Sequence, residues 1–154
     1  MITIRNASIE DALKLAETMR SEDVAEVYAS SGLDPLSALL IGIDTSTEAK
    51  VAIGNNEPIA IFGVCPDGNE SIGRVWLLGS DAIHDHRFDF LRKSKEWVDV
   101  LNIQYPVIYN HIDSRNTVHI RWLQWLGFSF INETPDYGFE KRPFYQFVRI
   151  NPNV

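Results

Sequence analysis

Residues 116–128 read Asn-Thr-Val-His-Ile-Arg-Trp-Leu-Gln-Trp-Leu-Gly-Phe, and this stretch does most to decide the fold. Its apolar residues recur at helical spacing, and Gly127 supplies the left-handed residue with which helices commonly end. Phe128 then opens an apolar run that is typical of a buried strand, so the pattern predicts a helix over 114–126 followed by a strand. Asn116, at the start of this helix, either caps it or presents its amide to a ligand, and both interpretations stay open.

The rest of the chain alternates between strand and helix periodicity, and a meander of three strands lies in its middle. A meander followed by strand, long helix and strand requires a right-handed crossover between two parallel neighbours. The predicted fold class is therefore α+β (α/β-like), a single domain over 1–154 with a mixed central sheet of about six or seven strands flanked by helices. The predicted strands are 2–5, 49–54, 58–65, 72–78, 106–111, 128–132 and 144–150, the helices are 8–20, 21–29, 34–43, 81–101 and 114–126, and 135–143 is predicted to be a turn-rich excursion.

The composition is that of a globular protein and excludes several classes. With 45% hydrophobic and 23% charged residues among 154, the chain can fill a core, which excludes disordered, collagen-like and coiled-coil proteins. The net charge of −7 argues against nucleic acid and anionic lipid as partners. A lone Cys65, no signal peptide and no apolar run of about 18 residues predict a soluble protein of a reducing cytoplasm, without a membrane span.

The charge is unevenly divided along the chain. Residues 1–70 hold 4 basic and 12 acidic side chains, whereas residues 71–154 hold 10 basic and 9 acidic side chains. An anionic ligand is therefore expected to bind the second half of the chain. The histidines and carboxylates of that half match no local spacing of a structural zinc site, so no metal is predicted.

The order of elements, with Asn116 and Gly127-Phe128 at matching spacing, resembles the GNAT family of N-acetyltransferases. The resemblance implies acetyl-CoA as cofactor and an amine on a small molecule or protein as substrate. It also implies that the backbone of residues 76–79 would hold the pantetheine arm, that the turn at 81–87 would face the pyrophosphate, and that Asn116 would bind a pantetheine amide. The cofactor-binding residues that it implies are Leu77, Leu78, Gly79, His84, His86, Arg87 and Asn116.

The turn that would face the pyrophosphate departs from the GNAT pattern. Only Gly79 remains of a glycine-rich turn, and Asp81 and Asp85 stand where the phosphates would lie. Each carboxylate would repel an anionic ligand, and the positive charge of Arg87 offsets this repulsion only in part. The local sequence therefore argues against tight binding of the coenzyme.

The position of the family's catalytic acid also departs from the pattern. By count from Asn116 and Gly127, the tyrosine that protonates the departing thiolate is replaced by Leu123, which cannot donate a proton. His119, one helical turn earlier on the same face, and Tyr109, on the preceding strand, are the remaining candidate catalytic acids. The alternative for His119 is a hydrogen-bonded packing residue, because apolar residues flank it.

One sequence motif resembles a narrower group, the GNAT-like small internal virion proteins of T7-like short-tailed phages. The motif consists of His119-Ile120-Arg121-Trp122-Leu123 and the following Gly127. This resemblance implies a phage protein in the host cytoplasm that is packaged in the virion or contacts phage or host proteins. Two functions follow. The missing glycines and Leu123 favour a virion-associated or host-interaction protein with weak or no catalysis, whereas Asn116 and the fold favour an active N-acetyltransferase.

Overall fold

A computed structural model describes residues 1–153 and contains one seven-stranded mixed sheet with helices on both faces. The strands are β1 (Ile2–Asn6), β2 (Glu48–Gly54), β3 (Glu57–Pro66), β4 (Ile72–Gly79), β5 (Val107–Asp113), β6 (Ser129–Tyr137) and β7 (Arg142–Ile150), and the helices are α1 (Ile9–Thr18), α2 (Ser21–Ser31), α3 (Pro35–Thr45), α4 (Arg87–Gln104) and α5 (Thr117–Trp125). The strand order is β1-β2-β3-β4-β5-β7-β6, and β4 with β5 is the parallel pair among antiparallel neighbours. The predicted fold class is confirmed.

Two apolar layers hold the helices on the sheet. On one face, α1, α2 and α3 pack through Leu15, Val27 and Leu39 against β2, β3 and β4. On the other face, α4 packs against β5 and β7, with Val98 and Leu101 in the same buried cluster as β-strand residues. The sheet therefore carries the helices of the N-terminal part on one face and the later helices on the other.

The predicted helix starts follow from capping chemistry that the structure confirms. Ser8 and Asp11 form a reciprocal capping box at the start of α1, in which each side chain accepts a hydrogen bond from the other residue's backbone N–H. Asp34 caps α3 by accepting from the Ser37 N–H, and Pro35 occupies the first helical turn.

Two predicted boundaries are wrong. Residues Asp81–His86 form a 3₁₀ helix instead of the first turns of α4, because the Ser80 carbonyl accepts from Ile83 and the Ser80 hydroxyl accepts from Ala82. The predicted excursion at 135–143 is instead the end of β6, a tight turn and the start of β7. Strand β6 continues through Pro135 because it is an edge strand, where a missing N–H need not break a ladder hydrogen bond.

The turn between β6 and β7 packs against the C-terminal end of α2. The Phe139 and Glu140 N–H groups donate to the Ser30 and Ala29 carbonyls at 3.2 and 3.0 Å. These bonds satisfy carbonyls that a helix end leaves without intrahelical partners. The hairpin therefore fixes α2 from one end.

Substituting Gly138 tests this contact. Gly138 and Gly68 both have positive φ, 75° and 83°, but a Cβ on Gly138 would lie 2.6 Å from the Ala29 carbonyl oxygen, whereas one on Gly68 would meet nothing within 4 Å. We expect Gly68→Ala to lower the free energy of unfolding by about 1 kcal/mol, the cost of the left-handed backbone, and Gly138→Ala by about 3 kcal/mol. Urea unfolding followed by tryptophan fluorescence measures both. Equal losses would contradict a close hairpin–α2 contact.

Candidate functional site

The sheet opens between its two parallel strands. β4 and β5 pair only over their first three positions, from Ile72 opposite Val107 to Arg74 opposite Tyr109. Beyond this point the strands diverge, and the Asn110 side-chain amide donates to the Val75 carbonyl across the gap at 2.7 Å. The divergence leaves a cleft in the middle of the sheet.

The backbone of β4 that borders this cleft is largely bonded within the chain. Along a strand, the backbone N–H and C=O groups of successive residues point to the two neighbouring strands in turn. The backbone groups of Val75, Leu77 and Gly79 therefore all point towards the cleft. The Gly79 N–H donates to Asp23 Oδ2 at 2.9 Å, and the Gly79 carbonyl accepts from the Arg20 N–H at 2.8 Å. Within residues 1–153, Leu77 is therefore the one of the three without a partner across the cleft.

Arg20, Asp23 and His119 form a buried polar cluster behind Gly79. One guanidinium nitrogen of Arg20 lies 3.0 Å from Asp23 Oδ1 and 2.7 Å from His119 Nε2. Since arginine only donates, His119 Nε2 must accept, and the imidazole proton is on Nδ1. Burial, together with the Arg20 charge, lowers the pKa of His119 to about 3. This histidine is therefore neutral in the neutral pH range.

Glu26 lies one helical turn further along α2 and reaches the same cluster. Its Oε1 accepts from the Asp113 N–H and from the Asn116 side-chain amide, each at 3.1 Å. Burial, together with the neighbouring Asp23 carboxylate, raises the pKa of Glu26 to about 8. Burial also raises the pKa of Asp23 to about 6, against the opposing effect of Arg20.

A cavity of about 430 Å³ lies in the opening between β4 and β5. Glu26 and Val27 of α2 line it on one face of the sheet, and Trp122 and Leu123 line it on the other. Leu77 and Leu78, two residues predicted to bind a cofactor, also line it. The indole N–H of Trp122 is buried and has no hydrogen-bond partner in residues 1–153.

Asn116 and Gly79 were also predicted to bind the cofactor, and both lie at the cleft. Asn116 is 2% exposed, and its amide nitrogen lies 3.3 Å from Asp23 Oδ1 besides its bond to Glu26. Its Oδ1 is buried with no partner among the described residues. The structure brings Asn116, Gly79 and His119 together through α2, which sequence reasoning did not connect with them.

The other predicted residues lie away from this cluster. His84 and His86 belong to the 3₁₀ helix, where the His84 carbonyl accepts from the Arg87 guanidinium at 2.9 Å. The Tyr109 hydroxyl donates to the Asp67 carboxylate, and burial with this bond raises the pKa of Tyr109. None of these side chains lines the cavity, so the two candidate acids, Tyr109 and His119, do not meet.

Sequence reasoning missed Arg20, Asp23 and Glu26. One signal was present, because Asp23 lies four residues before the buried Val27 and therefore on the face of α2 that packs against the sheet. Charged residues on an apolar face are rarely buried without partners. Apart from the Arg20–Asp23 pair itself, however, the hydrogen-bond partners of these residues lie 56 to 99 residues away in sequence.

Two kinds of feature are absent from residues 1–153, a metal-holding cluster and a membrane-spanning helix. No group of three or more His, Cys, Asp or Glu side chains in residues 1–153 is arranged to hold a metal ion. No helix in this part of the chain is long and apolar enough to cross a membrane.

The divergent parallel strands and the cleft between them define the class of protein, a GNAT fold. Solved GNAT-fold structures match it over nearly the whole chain: Ard1 from Thermoplasma volcanium (16% identity, TM-score 0.76, 97% of each chain) and a GNAT-family acetyltransferase from Bacillus anthracis (12%, 0.72, 97% of this chain and 94% of that one). Ribosomal-protein-S5-alanine acetyltransferase from Vibrio fischeri is a third (16%, 0.67, 99% and 94%). At these identities the likeness shows the fold alone.

Within this class, the sequence identifies a particular family. Residues 50–135 match the family described as "Bacteriophage T7, probable scaffold protein Gp13". Because this match spans more than half of the chain, the protein belongs to that phage family. No curated protein matches the chain by sequence.

The residues present do not fit coenzyme A, the group that the fold implies. Both backbone groups of Gly79 are bonded to Arg20 and Asp23, so a pantetheine arm would have to displace them. The turn that would face a pyrophosphate carries Asp81 and Asp85 on a 3₁₀ helix, with the Ala82 and Ile83 amides already bonded to Ser80. No reaction step is therefore assigned to the coenzyme.

The raised pKa of Glu26 makes stability depend on pH. Folded Glu26 holds its proton up to a pKa of about 8, whereas the unfolded chain releases it near its ordinary value of 4.5. The contribution of Glu26 to the free energy of unfolding should therefore fall as pH rises from about 5 to about 8, and Glu26→Gln should remove this contribution. Urea midpoints at several pH values measure it.

Glu17→Gln is the control for this experiment. Glu17 is exposed on α1 and forms no ion pair with another side chain of residues 1–153, so its surroundings change little on unfolding. Its substitution should leave the slope unchanged. A Glu26→Gln curve parallel to that of the unsubstituted protein would contradict the raised pKa.

Replacing Arg20 tests whether the cluster holds the cleft together. The side chains of Arg20 and Asp23 are 8% and 1% exposed, so Arg20→Met leaves a buried carboxylate without its cation. We expect a loss of about 3–5 kcal/mol in the free energy of unfolding. Arg92→Met, which breaks an ion pair with Asp89 on the surface of α4, should cost less than about 1 kcal/mol. Similar losses in urea unfolding would contradict the buried role of Arg20.

Proposed function

We propose that this protein is a virion-associated or host-interaction protein of a phage that acts through protein contacts, with weak or no acyl-transfer catalysis. The observation that carries the proposal is the bonding of Gly79 by Arg20 and Asp23. This bonding uses both backbone groups of Gly79, which an inserted ligand would otherwise reach. The cleft is thus stabilised at this point by the Asp23 side chain and the Arg20 backbone N–H.

The state of the candidate acids supports the same proposal. His119 is held as a neutral acceptor by Arg20, and Leu123 has no proton to donate. Tyr109 is bonded to Asp67 outside the cavity. The two residues predicted as catalytic acids are therefore not free to protonate a thiolate leaving group at the cleft.

Exposed apolar residues support a role in protein contacts. Val118 and Trp125, two turns apart on the same side of α5, are 52% and 54% exposed. Large aromatic residues in such positions are enriched where proteins meet. The family description, which names a probable scaffold protein, agrees with such a role.

The alternative function is an acyl-CoA-dependent N-acetyltransferase acting on an amine of a small molecule or a protein. One observation favours it. Glu26 lines the cavity and has a pKa near 8, which suits a group that removes a proton from an ammonium ion at neutral pH. This alternative requires the coenzyme to displace Arg20 and Asp23 from Gly79.

Calorimetric titration with acetyl-CoA distinguishes the two functions. We expect no binding heat with about 1 mM ligand, because the Gly79 N–H and carbonyl are already bonded to Asp23 and Arg20. Binding with micromolar affinity that Asn116→Ala abolishes would contradict the proposal and support the acetyltransferase. The exposed Arg121→Gln variant on the same helix controls for nonspecific contact with the anionic ligand.

Mass spectrometry of purified phage particles tests the virion role. We expect the chain to be present in particles at a fixed ratio to the capsid protein. Particles made with a Val118→Ser, Trp125→Ser double variant should contain less of it, because the exposed apolar surface of α5 is removed. Its absence from unsubstituted particles would contradict packaging and leave contacts with host proteins.

A further inference from the structure

The cavity between β4 and β5 has a polar side that the proposed function does not use. Arg74, the last residue of β4 that pairs with β5, lines it together with His111 and Tyr137. The rings of His111 and Tyr137 stack at 4.4 Å with an angle of 22° between their planes. Glu26 lines the same cavity from α2.

Among residues 1–153, the guanidinium of Arg74 makes no ion pair and no side-chain hydrogen bond. The Asp67 carboxylate accepts from the Tyr109 hydroxyl instead. Arg74, Glu26 and Tyr137 line one cavity, and the pKa of the Tyr137 hydroxyl is lowered by the Arg74 charge and raised by Glu26. An unpaired cation beside a phenol is a site for an oxyanion.

The other ionisable groups here are neutral at pH 7. Burial lowers the pKa of His111, and Glu26 keeps its proton up to a pKa of about 8. Since Glu26 Oε1 already accepts two hydrogen bonds, its proton lies on the other oxygen and can be donated. The polar side of the cavity therefore carries one positive charge and offers donors.

The remaining walls of the cavity are mostly apolar, and their polar residues are Ser30, Ser31, Thr45, Ser94, Asn110 and His119. The walls belong to α2, α3 and the strands on one face and to α4 and α5 on the other, and include Val27, Leu33, Ile41, Trp76, Val98 and Leu126. A volume of about 430 Å³ accommodates roughly fourteen atoms at the ~30 Å³ that a water molecule occupies. This size lies within the range of small-molecule sites.

We propose that this cavity binds a monocarboxylate with an apolar body of about a dozen non-hydrogen atoms. Its carboxylate accepts from Arg74, Tyr137 and Glu26, and its apolar part lies between the diverging strands. An amine is disfavoured, because Arg74 repels it. The carboxylate can belong to a free acid or to the C-terminal apolar residue of a partner chain, and both present the same chemistry.

Calorimetry at pH 7 with octanoate and octylamine as probes tests the proposal. We expect octanoate to bind and octylamine not to bind, and Arg74→Gln to weaken octanoate binding at least tenfold, the loss of a charge-assisted hydrogen bond. Arg74 is exposed, so this variant should fold normally. Arg121→Gln, an equally exposed arginine outside the cavity, should not change the affinity.

Three results would overturn the proposal. They are no binding of octanoate, binding of octylamine as tight as that of octanoate, and equal effects of the Arg74 and Arg121 substitutions. The second result would instead support an amine acceptor. None of them depends on whether coenzyme A binds.

The pH dependence tests the contribution of Glu26. Between pH 7 and pH 9 Glu26 loses its proton, and Asp23 and Asp113 beside it are already ionised, so the affinity for octanoate should fall several-fold. In Glu26→Gln the affinity should stay constant over this range, because the amide remains a donor. Equal slopes in the two proteins would overturn the assignment of Glu26 to this site.

A peptide probe separates the two sources of the carboxylate. An N-acetylated tripeptide that ends in phenylalanine with a free carboxylate is compared with its C-terminal amide. Tighter binding of the free-acid peptide than of octanoate points to a partner chain, and the reverse points to a small acid. Equal binding of peptide acid and amide would overturn recognition of a carboxylate.

Discussion

The hydrogen bonds from α2 to the unpaired half of β4 are the interaction on which the rest of the cleft depends. When β4 and β5 diverge, buried backbone groups lose the neighbours that a continuous sheet would give them, and unpaired groups of this kind are costly. Asn110, Asp23 and the Arg20 backbone supply the replacements. Charge explains the rest of the cluster. The buried Asp23 carboxylate is neutralised by Arg20, and the Arg20 guanidinium in turn keeps the neighbouring His119 imidazole neutral.

This arrangement agrees with the proposal that the chain keeps a GNAT fold with weak or no acyl transfer. The sheet, the crossover and the cleft are features of backbone and packing, whereas acyl transfer needs free backbone donors and an acid of suitable pKa. In this chain the sheet, the crossover and the cleft are kept, whereas both backbone groups of Gly79 and the Nε2 atom of His119 are bonded internally. The same cavity nevertheless keeps Glu26, Arg74 and Tyr137 available, so its remaining capacity is for binding.

Local chemistry could be predicted from the sequence, and long-range chemistry could not. Ser8, Pro35 and Gly127 mark helix ends because capping depends on a few neighbouring residues. The 3₁₀ helix depends on how the Ser80 side chain and carbonyl are used, which periodicity does not specify. Glu26 was missed because Asp113 and Asn116, which bind it, are 87 and 90 residues away.

The two edges of the sheet bear on how copies of this protein behave when crowded. β1 has only five residues, and β6 contains Pro135 and two interruptions of its register with β7. Short or irregular edges of this kind do not template further strands, which is how natural sheets avoid joining edge to edge. Both edges therefore disfavour strand-to-strand joining between copies of this chain.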